Sequence, residues 1–256
     1  MQDSSVIAHG VPSWVDLASP DTQASSRFYQ DVFGWTAGEA DPEFGGYFMF
    51  SKDGKEVAGI GPQQMEGQPP AWTTYVSVDD ADVIAEKVKA GGGQVYFGPM
   101  DVGNSGRMAV FADPTGAAFG VWQAKDFPGA AMFNVAGAVA WNEVGTPEID
   151  RASSFYQDLF GWTAEVQGEG SDAYTTFSAG GRPIAGGHSM AAAPAGTPPH
   201  WLTYFGVADL AAAEEKIKAG GGQIRMGPTD TPFGKMDIVS DPHGAVFAAI
   251  EIKNQT

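Results

Sequence analysis

A tryptophan followed two residues later by an acid occurs twice in this chain, as Trp14-Val15-Asp16 and as Trp141-Asn142-Glu143. On an extended strand, residues two apart point to the same side, so each indole shares a face with a carboxylate. That pairing suits a planar or partly apolar small molecule, which the indole stacks on while the acid orients a polar or cationic group. An acid so placed could also serve as a general base toward an acidic carbon. Asp16 and Glu143 are therefore the candidate catalytic groups, and Trp14 and Trp141 candidate binding residues. A shared packing requirement explains the doubling equally well.

The doubling extends along the whole sequence. Phe28-Tyr29-Gln30-Asp31-Val32-Phe33-Gly34-Trp35-Thr36-Ala37 returns from Phe155 to Ala164 with Val32 replaced by Leu159. Lys89-Ala90-Gly91-Gly92-Gly93-Gln94 returns unaltered at Lys218 to Gln223, and Asp113-Pro114-Thr115-Gly116-Ala117 returns as Asp241-Pro242-His243-Gly244-Ala245. A spacing this long corresponds to a whole domain rather than a solenoid unit, so the chain is a tandem duplication. The expected organisation is an arm at 1–10, a first domain at 11–124, a linker at 125–136 and a second domain at 137–253.

Composition removes several chemistries. The 256 residues include no cysteine, which excludes disulfides, thiolate nucleophiles and cysteine-held metals. Fourteen basic against 31 acidic residues, a formal charge of −17, make nucleic acid and anionic membranes poor partners. The amino end lacks a charged segment followed by an apolar run, and a cytoplasmic location is expected. No G-x-S-x-G elbow and no phosphate-binding G-x-x-x-x-G-K-[ST] pattern occurs, and the triple glycines follow helices rather than precede them. Of the histidines, His9 and His243 are expected at the surface. His200 opens a strand and a one-residue register shift decides whether His188 points inward, and for both a surface or hydrogen-bonded role competes with a place in the site.

The elements that must position these residues follow from periodicity. Ser19-Pro20-Asp21 is expected to cap a helix running to about Val32, with Ala24, Phe28 and Val32 buried and Gly34 as its stop. Strands follow near Trp35–Gly38, Tyr47–Lys52 and Glu56–Gly61, the last two joined at Asp53-Gly54. The order repeats with a strand from Trp72, a helix capped by Asp79 or Asp80 and running through Ala90 with Val83, Ile84 and Val88 inward, and three further strands. Each copy thus reads as two β-α-β-β-β modules, an α+β class.

Paired modules of this order, the helix ending Phe-Tyr-x-x-x-Phe-Gly-Trp, the helix ending Ala-Gly-Gly-Gly and the turn Asp-Pro-x-Gly together resemble the vicinal oxygen chelate superfamily, which includes glyoxalases, bleomycin-resistance proteins and extradiol dioxygenases. Pro12-Ser13-Trp14-Val15-Asp16-Leu17 with the doubled Phe-Gly-Trp is more closely similar to its two-domain actinobacterial type, labelled hydroxylase- or glyoxalase-like. The resemblance implies tandem glyoxalase-like domains whose four modules form two curved mixed-sheet cups, each holding a ligand. It also implies metal-ligand positions on the first and last strands of the modules. Here those positions fall on Trp14, Trp141, Thr73, Leu202, Gly120 and Ala248, none a usual ligand, so no metal and no other cofactor is expected.

Alternation then adds Thr73, Tyr75 and Trp122 to the first expected cup, and Tyr204, with Leu202, Ala248, Ile250 and His188, to the second. The expected function is a metal-independent binder, and potentially transformer, of a small, partly aromatic or apolar metabolite or drug. A glyoxalase-like lyase or hydroxylase/oxygenase-type enzyme is the alternative. Four modules in one chain fit either a monomer or a homodimer.

Overall fold

The computed structural model describes residues 7–64, 67–191, 193 and 196–252. The first module comprises β1 (Pro12–Ser19), α1 (Thr22–Phe33), β2 (Thr36–Ala37), β3 (Phe48–Lys52) and β4 (Lys55–Pro62). The second comprises β5 (Ala71–Ser77), α2 (Ala81–Ala90), β6 (Gln94–Val102), β7 (Gly106–Ala112) and β8 (Ala118–Ala124). The third contains β9 (Val139–Thr146), α3 (Ile149–Phe160), β10 (Thr163–Gln167), β11 (Tyr174–Ala179) and β12 (Arg182–Ser189). The fourth contains β13 (His200–Val207), α4 (Leu210–Ala219), β14 (Gln223–Thr231), β15 (Gly234–Ser240) and β16 (Val246–Glu251). The two eight-stranded sheets have the orders β2-β3-β4-β1-β5-β8-β7-β6 and β10-β11-β12-β9-β13-β16-β15-β14. In each module the first strand runs parallel to the last, and the last three strands form an antiparallel meander.

Several local expectations shift by a residue or two. Asp21, not Ser19, caps α1, its carboxylate accepting from the Ala24 N–H at 2.9 Å, while the Ser19 hydroxyl lies 2.8 Å from that of Ser25. Pro20 therefore precedes the cap instead of opening the helix. In the repeat, Glu148 takes the cap position without a side-chain bond. Gly34 ends α1 in the left-handed region at φ 68°, where a side chain would be strained. On α1, Ser25 and Ser26 are buried beside Phe28 and Val32, whereas Ala24 is only half-buried. On α2 the buried stripe is Ala81, Ile84, Ala85 and Val88, and Val83 is half exposed instead of inward. The arm, where described, is bonded: Gly10 donates to the Ser77 carbonyl, the Ser77 hydroxyl donates to the Ile7 carbonyl, and His9 Nδ1 accepts from the Asp79 N–H. Residues 1–6 of the expected arm lie outside the described residues.

The compact units do not coincide with the two copies. One contains the residues up to Trp14, Thr74–Gly129 and Asn142–Leu202; the other contains Val15–Thr73, Ala130–Trp141 and the residues from Thr203 on. Each unit therefore draws one module from each copy. In the second unit, Phe28, Tyr29, Phe33, Trp35 and Trp72 from copy one pack with Phe205, Ile217 and Phe247 from copy two. In the first, Phe111 and Phe119 from copy one pack with Phe155, Tyr156, Phe160, Trp162 and Trp201 from copy two. The motif glycines permit this packing: a side chain at Gly220 would press on Phe28, and one at Gly91 on Phe155.

A buried polar bond joins the motifs within each unit. Tyr29 donates to Asp241 at 3.2 Å and accepts from the Trp72 indole at 3.0 Å. Tyr156 donates to Asp113 at 2.9 Å and accepts from Trp201 at 2.8 Å. The same carboxylates hold their Asp-Pro-x-Gly turns, Asp241 accepting from the His243 and Ala245 N–H groups and Asp113 from those of Thr115 and Ala117. Burial, reinforced by the adjacent carboxylates, pushes both phenols well above their ordinary value.

Replacing Tyr29 or Tyr156 by Phe strands a buried carboxylate oxygen and an indole N–H, and is expected to lower stability by about 1–3 kcal/mol in urea unfolding. The raised phenol values also mean that the folded chain keeps protons that the unfolded chain releases near pH ~10. Stability should therefore fall as pH rises through that point, and less steeply in the Phe variants.

Candidate ligand-binding site

The face carrying Glu143 is set by three strands of the third module. β12 lies parallel to β9 with Gly186 opposite Glu143, and antiparallel to β11 with His188 opposite Tyr174. In this register His188 comes to the side of Glu143, its Nδ1 3.4 Å from a carboxylate oxygen. The second oxygen accepts from the Tyr174 hydroxyl at 3.0 Å. The Glu143 side chain is 9 % exposed and that of His188 is 34 % exposed. A nearly buried carboxylate thus orients an imidazole that solvent or a ligand can reach, an arrangement able to donate, accept or exchange a proton. Tyr174 carries a sequence signal of its own, recurring one repeat earlier as Tyr47.

In the first module, Asp16 is half-buried and lies opposite Gly59 on the parallel strand. The position matching His188 is Gly61, and the Tyr47 ring lies against both glycines so closely that a side chain at Gly59 would overlap it. The two acids therefore stand in different settings, with an imidazole beside Glu143 and glycine at the matching position beyond Asp16.

The expected aromatic walls of the first cup are packed rather than open. Trp14 is buried and meets Phe127 edge-on at 4.9 Å, and the Trp122 indole donates to the Phe127 carbonyl at 2.8 Å. Phe127 belongs to the stretch expected to be a linker, and its half-buried ring also lies 6.0 Å from that of Trp122. The Tyr75 ring covers Gly120, leaving no room for a side chain there. Tyr204 is buried, whereas Thr73 and Trp141 are half-buried. Two surface hollows, one along α2 at Asp82, Val83, Glu86, Lys87 and Ala90 and one beside α1 at Gln23, Ser26, Arg27, Gln30 and Phe48, include none of the expected wall residues.

The other histidines lie apart from this cluster. His200 Nδ1 is 2.9 Å from the Pro198 carbonyl, and His243 Nε2 is buried without a hydrogen-bond partner among the described residues rather than at the surface as expected. Among the described residues, no three His, Asp or Glu side chains are grouped so as to hold a metal ion together. The donor set at the positions that the resemblance marks for metal, with indoles at two, Tyr75 over Gly120, aliphatic groups at Leu202 and Ala248 and the single hydroxyl of Thr73, does not fit a divalent ion.

The family model described as Glyoxalase/Bleomycin resistance protein/Dioxygenase superfamily matches residues 11–121 and again 138–248. The chain belongs to this superfamily. Over its length it is 39% identical to a candidate glyoxylase, CFP32 of Mycobacterium bovis, covering 98% of both chains. It is 40% identical to the anthracycline biosynthesis protein DnrV of Streptomyces peucetius, covering 96% of this chain and 94% of the relative. Superfamily members of known structure share its fold at low identity. The Mn(II)-bound glyoxalase from Novosphingobium aromaticivorans superposes with a TM-score of 0.66 at 17% identity, over 95% of this chain and 82% of that one. The 2,3-dioxygenase LapB from Pseudomonas sp. KL28 gives 0.66 at 14% identity, over 96% and 93%. Among the described residues, no helix is long and apolar enough to cross a membrane.

Phe127→Ala should test the packed aromatic cluster. Loss of two ring contacts predicts a stability loss of about 1–3 kcal/mol and a red shift of tryptophan emission as Trp14 and Trp122 meet water.

Proposed function

We propose that this superfamily member binds a small, partly aromatic metabolite at the face formed by Glu143, Tyr174 and His188, and does so without a resident metal. The observation that carries this reading is the buried carboxylate gripped by a phenol and facing a reachable imidazole. Such a trio can orient a phenol, ketone or amine of the ligand, and the aromatic residues expected along the sheet would supply its apolar contacts. The non-ligand side chains at the family's metal positions support metal independence. The relative named for anthracycline biosynthesis supports a ligand with fused aromatic rings.

The Glu143–His188 pair also favours a second reading, an enzyme of the glyoxalase-like lyase or hydroxylase/oxygenase type. In it, the imidazole takes a proton from the bound molecule while Glu143 holds the resulting cation and Tyr174 fixes the carboxylate. Under this reading Asp16, whose neighbouring strand has Gly61 where His188 stands, is the non-catalytic counterpart. Each compact unit already pairs two modules, which supports a chain that works as a monomer.

Titration with an anthraquinone, followed by tryptophan fluorescence, tests the proposal. Glu143→Gln and His188→Gly are each expected to weaken binding by roughly tenfold, about 1.4 kcal/mol, while Asp16→Asn leaves it unchanged. Treatment with a chelator should not alter affinity. Binding that ignores both Glu143→Gln and His188→Gly, or that is lost on chelation and restored by a divalent ion, would sink the reading.

A further inference from the structure

The two copies differ at three neighbouring positions around His188, and the differences are reciprocal. In the parallel pair of β1 and β4, Ala18 stands opposite Gly61; in that of β9 and β12, Gly145 stands opposite His188. A methyl facing a glycine in copy one has become a glycine facing an imidazole in copy two. Immediately beyond β4 the Gln63 N–H donates to the Ser19 carbonyl, and immediately beyond β12 the Met190 N–H donates to the Thr146 carbonyl. Met190 therefore takes the place of Gln63.

Backbone conformation does not call for glycine at 145, because the residue lies within β9 and its φ is not positive. What matters is the missing Cβ. The point that a Cβ would occupy lies 3.2 Å from His188 Cε1 and 3.2 Å from Met190 Sδ, inside the optimal separation of about 3.5–4.0 Å between carbon atoms. Imidazole and thioether thus both come down onto the bare backbone at this spot. The Met190 side chain is buried there, whereas Gln63 at the matching place turns its amide to the Gln68 carbonyl. The ring is held at two atoms, Nδ1 beside Glu143 and Cε1 over Gly145.

We propose that Gly145 and Met190 are positioning residues that hold the His188 imidazole with Nδ1 toward Glu143, so that Nε2 is the nitrogen left to accept the proton of a ligand hydroxyl. A carboxylate beside one ring nitrogen favours the neutral tautomer whose proton is on that nitrogen, and the other nitrogen is then an acceptor. The inference rests on the reading of Glu143, Tyr174 and His188 as the ligand site, and it narrows the ligand to one that brings a donor, a phenol in preference to its ether. A methyl at position 145 would press on the imidazole and the thioether, the two groups there that can swing aside. Copy one tolerates its methyl at Ala18 because Gly61 opposite it has no side chain to displace.

Nitrogen-15 NMR of the His188 ring in the intact, ligand-free chain reads the tautomer directly. At about pH 8, above the ordinary imidazole value of about 6.5, the proton should sit on Nδ1, and in Gly145→Ala the two tautomers should mix. Met190→Gln, which installs the residue of copy one, should release the ring in the same direction and serves where Gly145→Ala folds poorly. The unaltered chain should bind 2-naphthol roughly tenfold more tightly than 2-methoxynaphthalene, and Gly145→Ala should bring the two within about twofold. A proton on Nε2 in the unaltered chain, or a ring signal that neither variant moves, overturns the proposal whatever the two probes do. A ring that moves as expected while naphthol affinity stays the same in all three chains overturns it at the other end, by removing the ligand site on which it rests.

Discussion

The tyrosine–aspartate bond buried in each unit is the constraint on which the rest of the fold depends. A phenol at the centre of a hydrocarbon core is tolerated only if its hydroxyl finds partners, and here it finds two, an indole N–H and a carboxylate. The carboxylate in turn is tolerated because it also receives the backbone N–H groups of its own turn. Helix, turn and first strand are thereby locked to one another by groups that have no cheap alternative arrangement. Aromatic rings surround each tyrosine in both cores, and the bond fixes where the tyrosine ring sits among them.

This constraint also explains which parts of the repeat stayed alike. The Tyr of α1 comes from copy one and meets the Asp of copy two, and the Tyr of α3 comes from copy two and meets the Asp of copy one. A change in either motif of either copy damages a core shared by both. The faces turned away from the helices carry no such mutual obligation, and there the copies have diverged. His188 replaces the counterpart of Gly61, Glu143 the counterpart of Asp16, and Phe127 fills the space between Trp14 and Trp122. Divergence on a face released from packing is where a ligand site can arise, and the Glu143, Tyr174 and His188 cluster lies on such a face.

Divergence within the core is rarer and correspondingly informative. Exchanging the buried Ala109 of the second module for Asp237 in the fourth introduces buried polar atoms that hydrophobic packing does not call for. The buried Asp237 has no hydrogen-bond partner among the described residues, whereas the buried carboxylates of Asp113, Glu143 and Asp241 are each hydrogen-bonded.

Much of this was legible in the sequence. The repeat, the β-α-β-β-β order and the packing role of Phe28, Tyr29, Phe33 and Trp35 follow from motif spacing and periodicity, because those depend on local geometry and on which side chains shun water; the superfamily follows from the resemblance of the motifs. The pairing of modules across copies was not legible, since identical motifs satisfy either pairing equally well in sequence and only the three-dimensional contacts distinguish them. Nor was the fate of Trp14 and Trp122: alternation assigns a side chain to a face but does not say what else occupies that face, and the ring that does belongs to an apparent linker. Asp16 and Glu143 read alike as letters. The sequence alone determined that each copy keeps an acid beside its tryptophan; tertiary structure decided that Glu143 meets the His188 imidazole and the Tyr174 phenol, because that depends on strand register, which brings residues 31 and 45 positions away to the same carboxylate.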